Sequence, residues 1–257
     1  MKHLYILTIS FILAGCEGEN ISNSTYTSNS VSQTYNTYAN NGNGDNIAYD
    51  NNSKYSKKII SPKDVNISKA IIDGKVQGYS EDSTIKQKYL AVINYYRSLP
   101  ISCEDDNVAN GPSPKLKWNE KLYNAAKDHS LDVIYNFRDF FTKDLKAIVN
   151  PHLGSGTETD IEGHQNGNRS TFDERVKAAG YNYPQGENVA VLSTTNPNAT
   201  DAWKSVMDSL LRSPHHCVNI MNKNAKDFAM AEYRSNDDSI YGMYQYFWTQ
   251  EFGAREQ

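Results

Sequence analysis

The sequence predicts an α+β domain carried behind a long polar segment. Apolar side chains recur at helical spacing in three stretches between about residues 82 and 179. Three stretches with strand character follow, at 186–193, 228–234 and 241–252, with one more helix at about 199–212 between the first two. Residues 17–58 are dominated by Asn, Ser, Thr, Gly and Tyr, so the modest hydrophobic content of 38% averages an ordinary domain with a polar tail.

The N-terminus has the form of an export signal. Met1-Lys2-His3 is a short basic start, and Leu4 to Leu13 is apolar except for Thr8 and Ser10. That run is too short to span a bilayer but suits a signal-peptide core. Leu13-Ala14-Gly15-Cys16 resembles the bacterial lipobox, in which the Cys is acylated and becomes the first mature residue. The resemblance implies a signal peptide over 1–15, lipidation at Cys16 and a protein anchored in the bacterial envelope on the extracytoplasmic side. Glu17, rather than Asp, follows the Cys, which by the sorting rule of Gram-negative lipoproteins points to the outer membrane. Residues 16–58 cannot bury enough apolar area to offset their ordering entropy and read as a disordered tether. Residues 59–81 are ambiguous: their Ile and Val side chains suit a short strand or a segment lying along the domain surface. Net charge is −4, from 30 acidic and 26 basic side chains, which gives no phosphate-binding surface and argues against a nucleic-acid partner.

The folded domain is expected over 82–257. Ser83 is a candidate N-cap, Ile85, Tyr89, Val92, Ile93 and Tyr96 form a helical stripe, and Leu99-Pro100 ends it. Asn119 caps a second helix whose buried face is Leu122, Ala125, Ala126, His129, Val133 and Phe137. A polar connection from Thr142 to Arg169 contains His152 and His164, and its 154–169 tract is long enough to be functional or mobile. Ser170 is placed to cap a third helix that Gly180 stops, with Asp173 and Glu174 favouring its N-terminal dipole. Ser213-Pro214 reads as a helix stop that carries His215, His216 and Cys217.

These pieces, in this order, resemble the CAP superfamily of cysteine-rich secretory, antigen 5 and pathogenesis-related 1 proteins. The resemblance rests on Trp118-Asn119-Glu120-Lys121-Leu122, His152-Leu153-Gly154-Ser155, Arg175 with Ala179-Gly180-Tyr181, Gly186-Glu187-Asn188-Val189-Ala190, Ser213-Pro214-x-His216, and Phe247-Trp248-Thr249-Gln250-x-Phe252-Gly253. It implies a three-layer α-β-α sandwich around a central, mainly antiparallel sheet. It also implies that His152, His216 and Glu187 line one cleft. Two neutral imidazoles there would suit a divalent metal such as zinc, with water or a carboxylate completing the shell. His215 stands where the family has Gly and ranks second. His129 reads as a satisfied core histidine and His164 as solvated. The family's second cavity acid has no match, although Asp208 lies nearby.

If acylation takes Cys16, Cys103 and Cys217 remain in an oxidising compartment, where thiols pair. The resemblance points to the same disulfide, with both residues placed at helix ends. Neither His-Glu-x-x-His nor Gly-x-Ser-x-Gly is present. The functional expectation is therefore a membrane-tethered binding module for a lipid or protein ligand. The alternatives are a metal-dependent hydrolase of peptide or envelope material, and a structural or adhesive surface lipoprotein.

Overall fold

The computed structural model describes residues 59–103, 110–136, 151–161, 166–235 and 242–255. The expected signal peptide (1–15), Cys16, the expected tether (16–58), Phe137 and His164 lie outside the described residues.

Among the described residues, four strands form one sheet in the order β1-β3-β4-β2: β1 (Lys117–Trp118), β2 (Pro184–Thr194), β3 (Asp227–Arg234) and β4 (Tyr244–Gly253). The pair β1–β3 is parallel, while β3–β4 and β2–β4 are antiparallel. Alternation along β4 divides its side chains between two helical layers. Tyr246, Trp248 and Phe252 join the main core. That core is closed by α1 (Ile67–Ile72), α2 (Ile85–Ser98), α5 (Ala202–Arg212) and α6 (Pro214–Met221). Phe247 joins Val133 and Val189 on the opposite face. There the cover is α3 (Glu120–Tyr135) and α4 (Phe172–Ala178). The result is the expected three-layer sandwich.

Capping chemistry sets the helix starts, sometimes one residue from the sequence expectation. Thr84, not Ser83, caps α2, in a reciprocal box with Gln87. Thr171, not Ser170, caps α4 with Glu174. Ser170 is engaged elsewhere, since it is buried and donates from its backbone and hydroxyl to Asp160. Asn119 caps α3 as expected.

Three elements differ from the sequence reading. The lead-in, open between a short strand and a surface segment, is helical at Pro62–Asp64 and Ile67–Ile72 with a single bridge from Ile60 to Ile101, and Val65, Ile67, Ala70 and Val76 enter the main core. Buried Asp208 of α5 fixes them, accepting from the Ile67 amide at 3.1 Å and from Tyr96 Oη at 2.8 Å. Asp208 is therefore a tie between α1, α2 and α5. Second, Ser213-Pro214 does not end the helical region. It breaks the chain into a new helix with Pro214 in its first turn, where the missing N–H costs nothing. Third, Lys117–Trp118 pairs with β3 as a short strand. Arg97, buried at the end of α2, holds the far end of α6 by donating to the carbonyls of Ile220 (2.6 Å) and Asn222 (2.9 Å).

Cys103 and Cys217 are joined, with Cα atoms 5.4 Å apart at a sequence separation of 114. Cys217 lies inside α6 rather than at a helix end. Reducing this bond should lower unfolding stability by about 4–5 kcal/mol in the chain-entropy model. Urea unfolding with and without reductant checks it; superimposable curves would count against a stabilising role.

Candidate functional site

Gly186-Glu187-Asn188 on β2 organises the site, and each residue has a separate physical reason. Gly186 faces Asn219 of α6, and a Cβ there would lie 2.8 Å from Asn219 Oδ1, so only glycine admits the helix this close. Asn188 continues the same contact. Its Nδ2 donates to the His216 carbonyl at 3.2 Å and to Gln250 Oε1 at 3.0 Å, while Asn219 Nδ2 donates to Asn188 Oδ1 at 3.0 Å. This buried amide cluster seats α6 on the sheet.

Glu187 points to the other face and is fully buried. Its Oε2 accepts from Arg175 Nη2 of α4 at 2.7 Å. Its Oε1 meets His152 Nδ1 at 2.8 Å. Burial alone would raise this carboxyl; the Arg175 guanidinium and the hydrogen bond from His152 outweigh it and hold the group well below the usual carboxylate range. An ionised Glu187 can only accept, so His152 Nδ1 carries the proton and donates.

His152 reaches this position through a second histidine. His129 Nε2 of α3 donates to the Pro151 carbonyl at 2.8 Å, fixing the residue before His152. Burial, with Arg175 adding to it, pushes His129 down to about 3, so the ring is neutral. The loop beyond is pinned by two buried aspartates. Asp132 of α3 accepts from the Ser155 amide at 2.7 Å and hydroxyl at 2.6 Å. Asp160 accepts from the amides of Gly156 at 3.0 Å and Ser170 at 3.1 Å. A Cβ on Gly154 would sit 2.1 Å from Asp160, so the Gly and Ser of His-x-Gly-Ser shape the loop while the His reaches the sheet. The described part of the 154–169 tract is thus anchored to the domain at both ends.

The structure brings His152 and Glu187 into direct contact and adds Arg175, which the sequence reading uses only as a family marker. An Arg beside a Gly-Glu-Asn strand is the available signal, since a buried glutamate needs a cation. His216 is buried on α6, with its carbonyl bonded to Asn188, whereas His215 is exposed. His129 is the core histidine expected, and it positions the Pro151 carbonyl in addition to packing. His152, His216 and Glu187 are all fully buried. Among the described residues no three His, Cys, Asp or Glu side chains are grouped to hold one metal ion. Both Glu187 oxygens are already engaged, and the residues do not make a ligand set. An open groove of about 430 Å³ lies apart from this network, lined by Trp118, Lys121, Tyr181, Tyr183, Asp227 and Arg255 among others.

Compared with known proteins, the chain matches the model of the cysteine-rich secretory protein family, CAP, over residues 90–252. No curated protein and no solved structure matches it.

Two substitutions test the geometry. Glu187→Gln leaves the Arg175 charge buried without its counter-ion and should cost about 3–5 kcal/mol. The Glu187 contribution is complete above the ordinary value of 4.5 and lost as pH falls through the depressed folded value, so the variant's stability should depend less on pH on the acid side. Gly186→Ala should cost about 1–3 kcal/mol through overpacking against Asn219. Denaturant unfolding as a function of pH measures both; wild-type stability in either variant would refute the corresponding contact.

Proposed function

The chain belongs to the cysteine-rich secretory protein (CAP) family, and from that premise we propose that it is a membrane-tethered, extracytoplasmic binding module rather than a hydrolase. One observation carries this reading: His152 and Glu187 are buried and already bonded to one another. Glu187 is held ionised by Arg175 and His152, which makes it a weak proton acceptor at neutral pH. The network reads as the scaffold that shapes the domain, and recognition falls to its open surface. The groove of Trp118, Tyr181 and Tyr183 suits this best. It combines aromatic faces with two cations, Lys121 and Arg255, and two anions, Glu120 and Asp227, a mixture that favours a protein segment over a lipid tail. The tether would link the domain to the membrane, with acylated Cys16 as the anchor.

Two measurements test the proposal. Cys16→Ser should move the protein from the membrane fraction to the soluble fraction; unchanged membrane association would remove the lipid anchor from the reading. A photo-crosslinking amino acid in place of Tyr183, in intact cells, should give one defined protein adduct that the same probe in place of exposed Ile72 does not. Peptide hydrolysis by the purified protein, lost in Glu187→Gln while the fold survives, would favour the hydrolase instead.

A further inference from the structure

Glu251 of β4 lies directly opposite Glu187 in the β2–β4 register, on the same face of the sheet. Both are fully buried. The charges facing Glu251 can be taken element by element. From β2 comes Glu187 itself. From α4 comes Arg175, whose Nη2 is bonded to Glu187. The loop supplies His152, also bonded to Glu187, and α3 supplies His129, whose ring is neutral and whose Nε2 is on the Pro151 carbonyl. On β3 the residue opposite is Ala229, which brings no charge. Among the described residues, two carboxyls thus share one permanent cation, and that cation is committed to Glu187. Neither Glu251 oxygen receives a hydrogen bond from a described protein group.

We propose that Glu251 is a proton-holding residue, a neutral carboxylic acid beside ionised Glu187 at neutral pH, and that the pair makes the domain sensitive to alkaline pH. As an anion Glu251 would be a buried charge with no donor among the described residues, next to a second anion, a strongly unfavourable arrangement. As an acid it has an O–H to offer the facing Glu187, and the cluster carries one negative and one positive charge. Burial, reinforced by Glu187, pushes the Glu251 carboxyl well above the usual range, in accord with this assignment. The sign follows from linkage. The folded value is raised, so the stability is fully present below the unfolded value near 4.5 and is lost as pH rises through the folded value.

The test uses the full chain. Thermal unfolding is followed from roughly pH 5 to pH 10 for wild type and Glu251→Gln, which keeps the shape and the neutral charge. The wild-type Tm should fall by several degrees on the alkaline side, and the variant's should fall distinctly less. Equal alkaline slopes would overturn the proposal. Independently of how well the variant folds, infrared spectroscopy of wild type carrying isotope-labelled glutamate should show a protonated-carboxyl carbonyl band at neutral pH that disappears on alkaline titration. Absence of that band at neutral pH would also overturn it.

Discussion

The ion pair between Glu187 and Arg175 is the constraint on which the polar layer of this domain depends. An isolated carboxylate in a dry interior is costly, and its usual escape is to take up a proton. Here a guanidinium at 2.7 Å keeps Glu187 charged, and the charge then has to be completed by donors. His152 supplies one, which requires residue 152 to lie over the sheet, which in turn requires the Pro151 carbonyl to be held by His129. The loop beyond is then close enough to α3 for Asp132 to take the Ser155 amide and hydroxyl. One charge on β2 thus fixes α4, a loop and the orientation of a histidine on α3. Removing any member leaves a neighbour unsatisfied, so the set behaves as a unit.

The opposite layer is held by different means. Its core is large and apolar, and the tie between α6 and the segment after α2 is covalent. Arg97 and Asp208 complete it, each satisfying backbone groups at helix ends that packing alone would leave open. Asp208 explains why the lead-in of residues 59–81 is part of the domain. Its carboxylate gives the Ile67 amide a partner at a helix start, where no intrahelical acceptor exists. Asn66 caps α1 by accepting from the Lys69 amide, and the acid that takes the Ile67 amide is 141 residues away.

Legibility in the sequence follows this division. Local rules place Asn119 as a cap, end α2 at Leu99-Pro100 and locate the three long strands to within a few residues, because each depends on neighbours in the chain. The pairing of Cys103 with Cys217 is legible from counting thiols together with the family resemblance. The misses are non-local or two-sided. Ser213-Pro214 stops one helix and starts the next, and Pro is equally at home in both roles. Ser170 and Thr171 are both competent caps, and only the distant need of Asp160 decides between them. His152 and Glu187 are legible as neighbours, but as walls of a cleft. Their burial is not, because it depends on Arg175, a residue outside both motifs, making that burial tolerable.

The period of two along β2 explains how these unlike layers stay in step. Glu187 faces the ionic network and Asn188 faces α6, so adjacent residues of one strand set both sides of the sandwich. On β4 the partners are Glu251 and Gln250, again one to each face. A slip of a single residue would send Asn188 toward Arg175 and Glu187 toward the amide cluster, leaving a buried cation unpaired on one face and a buried anion on the other. The alternative registers are therefore penalised twice. Gly186 adds a steric condition of its own, since the approach of Asn219 tolerates no Cβ at that position and at no other register would the gap fall there. Polar residues that weaken an ordinary strand core here specify its alignment, and the stability they forgo is returned by the apolar layer and the disulfide behind it.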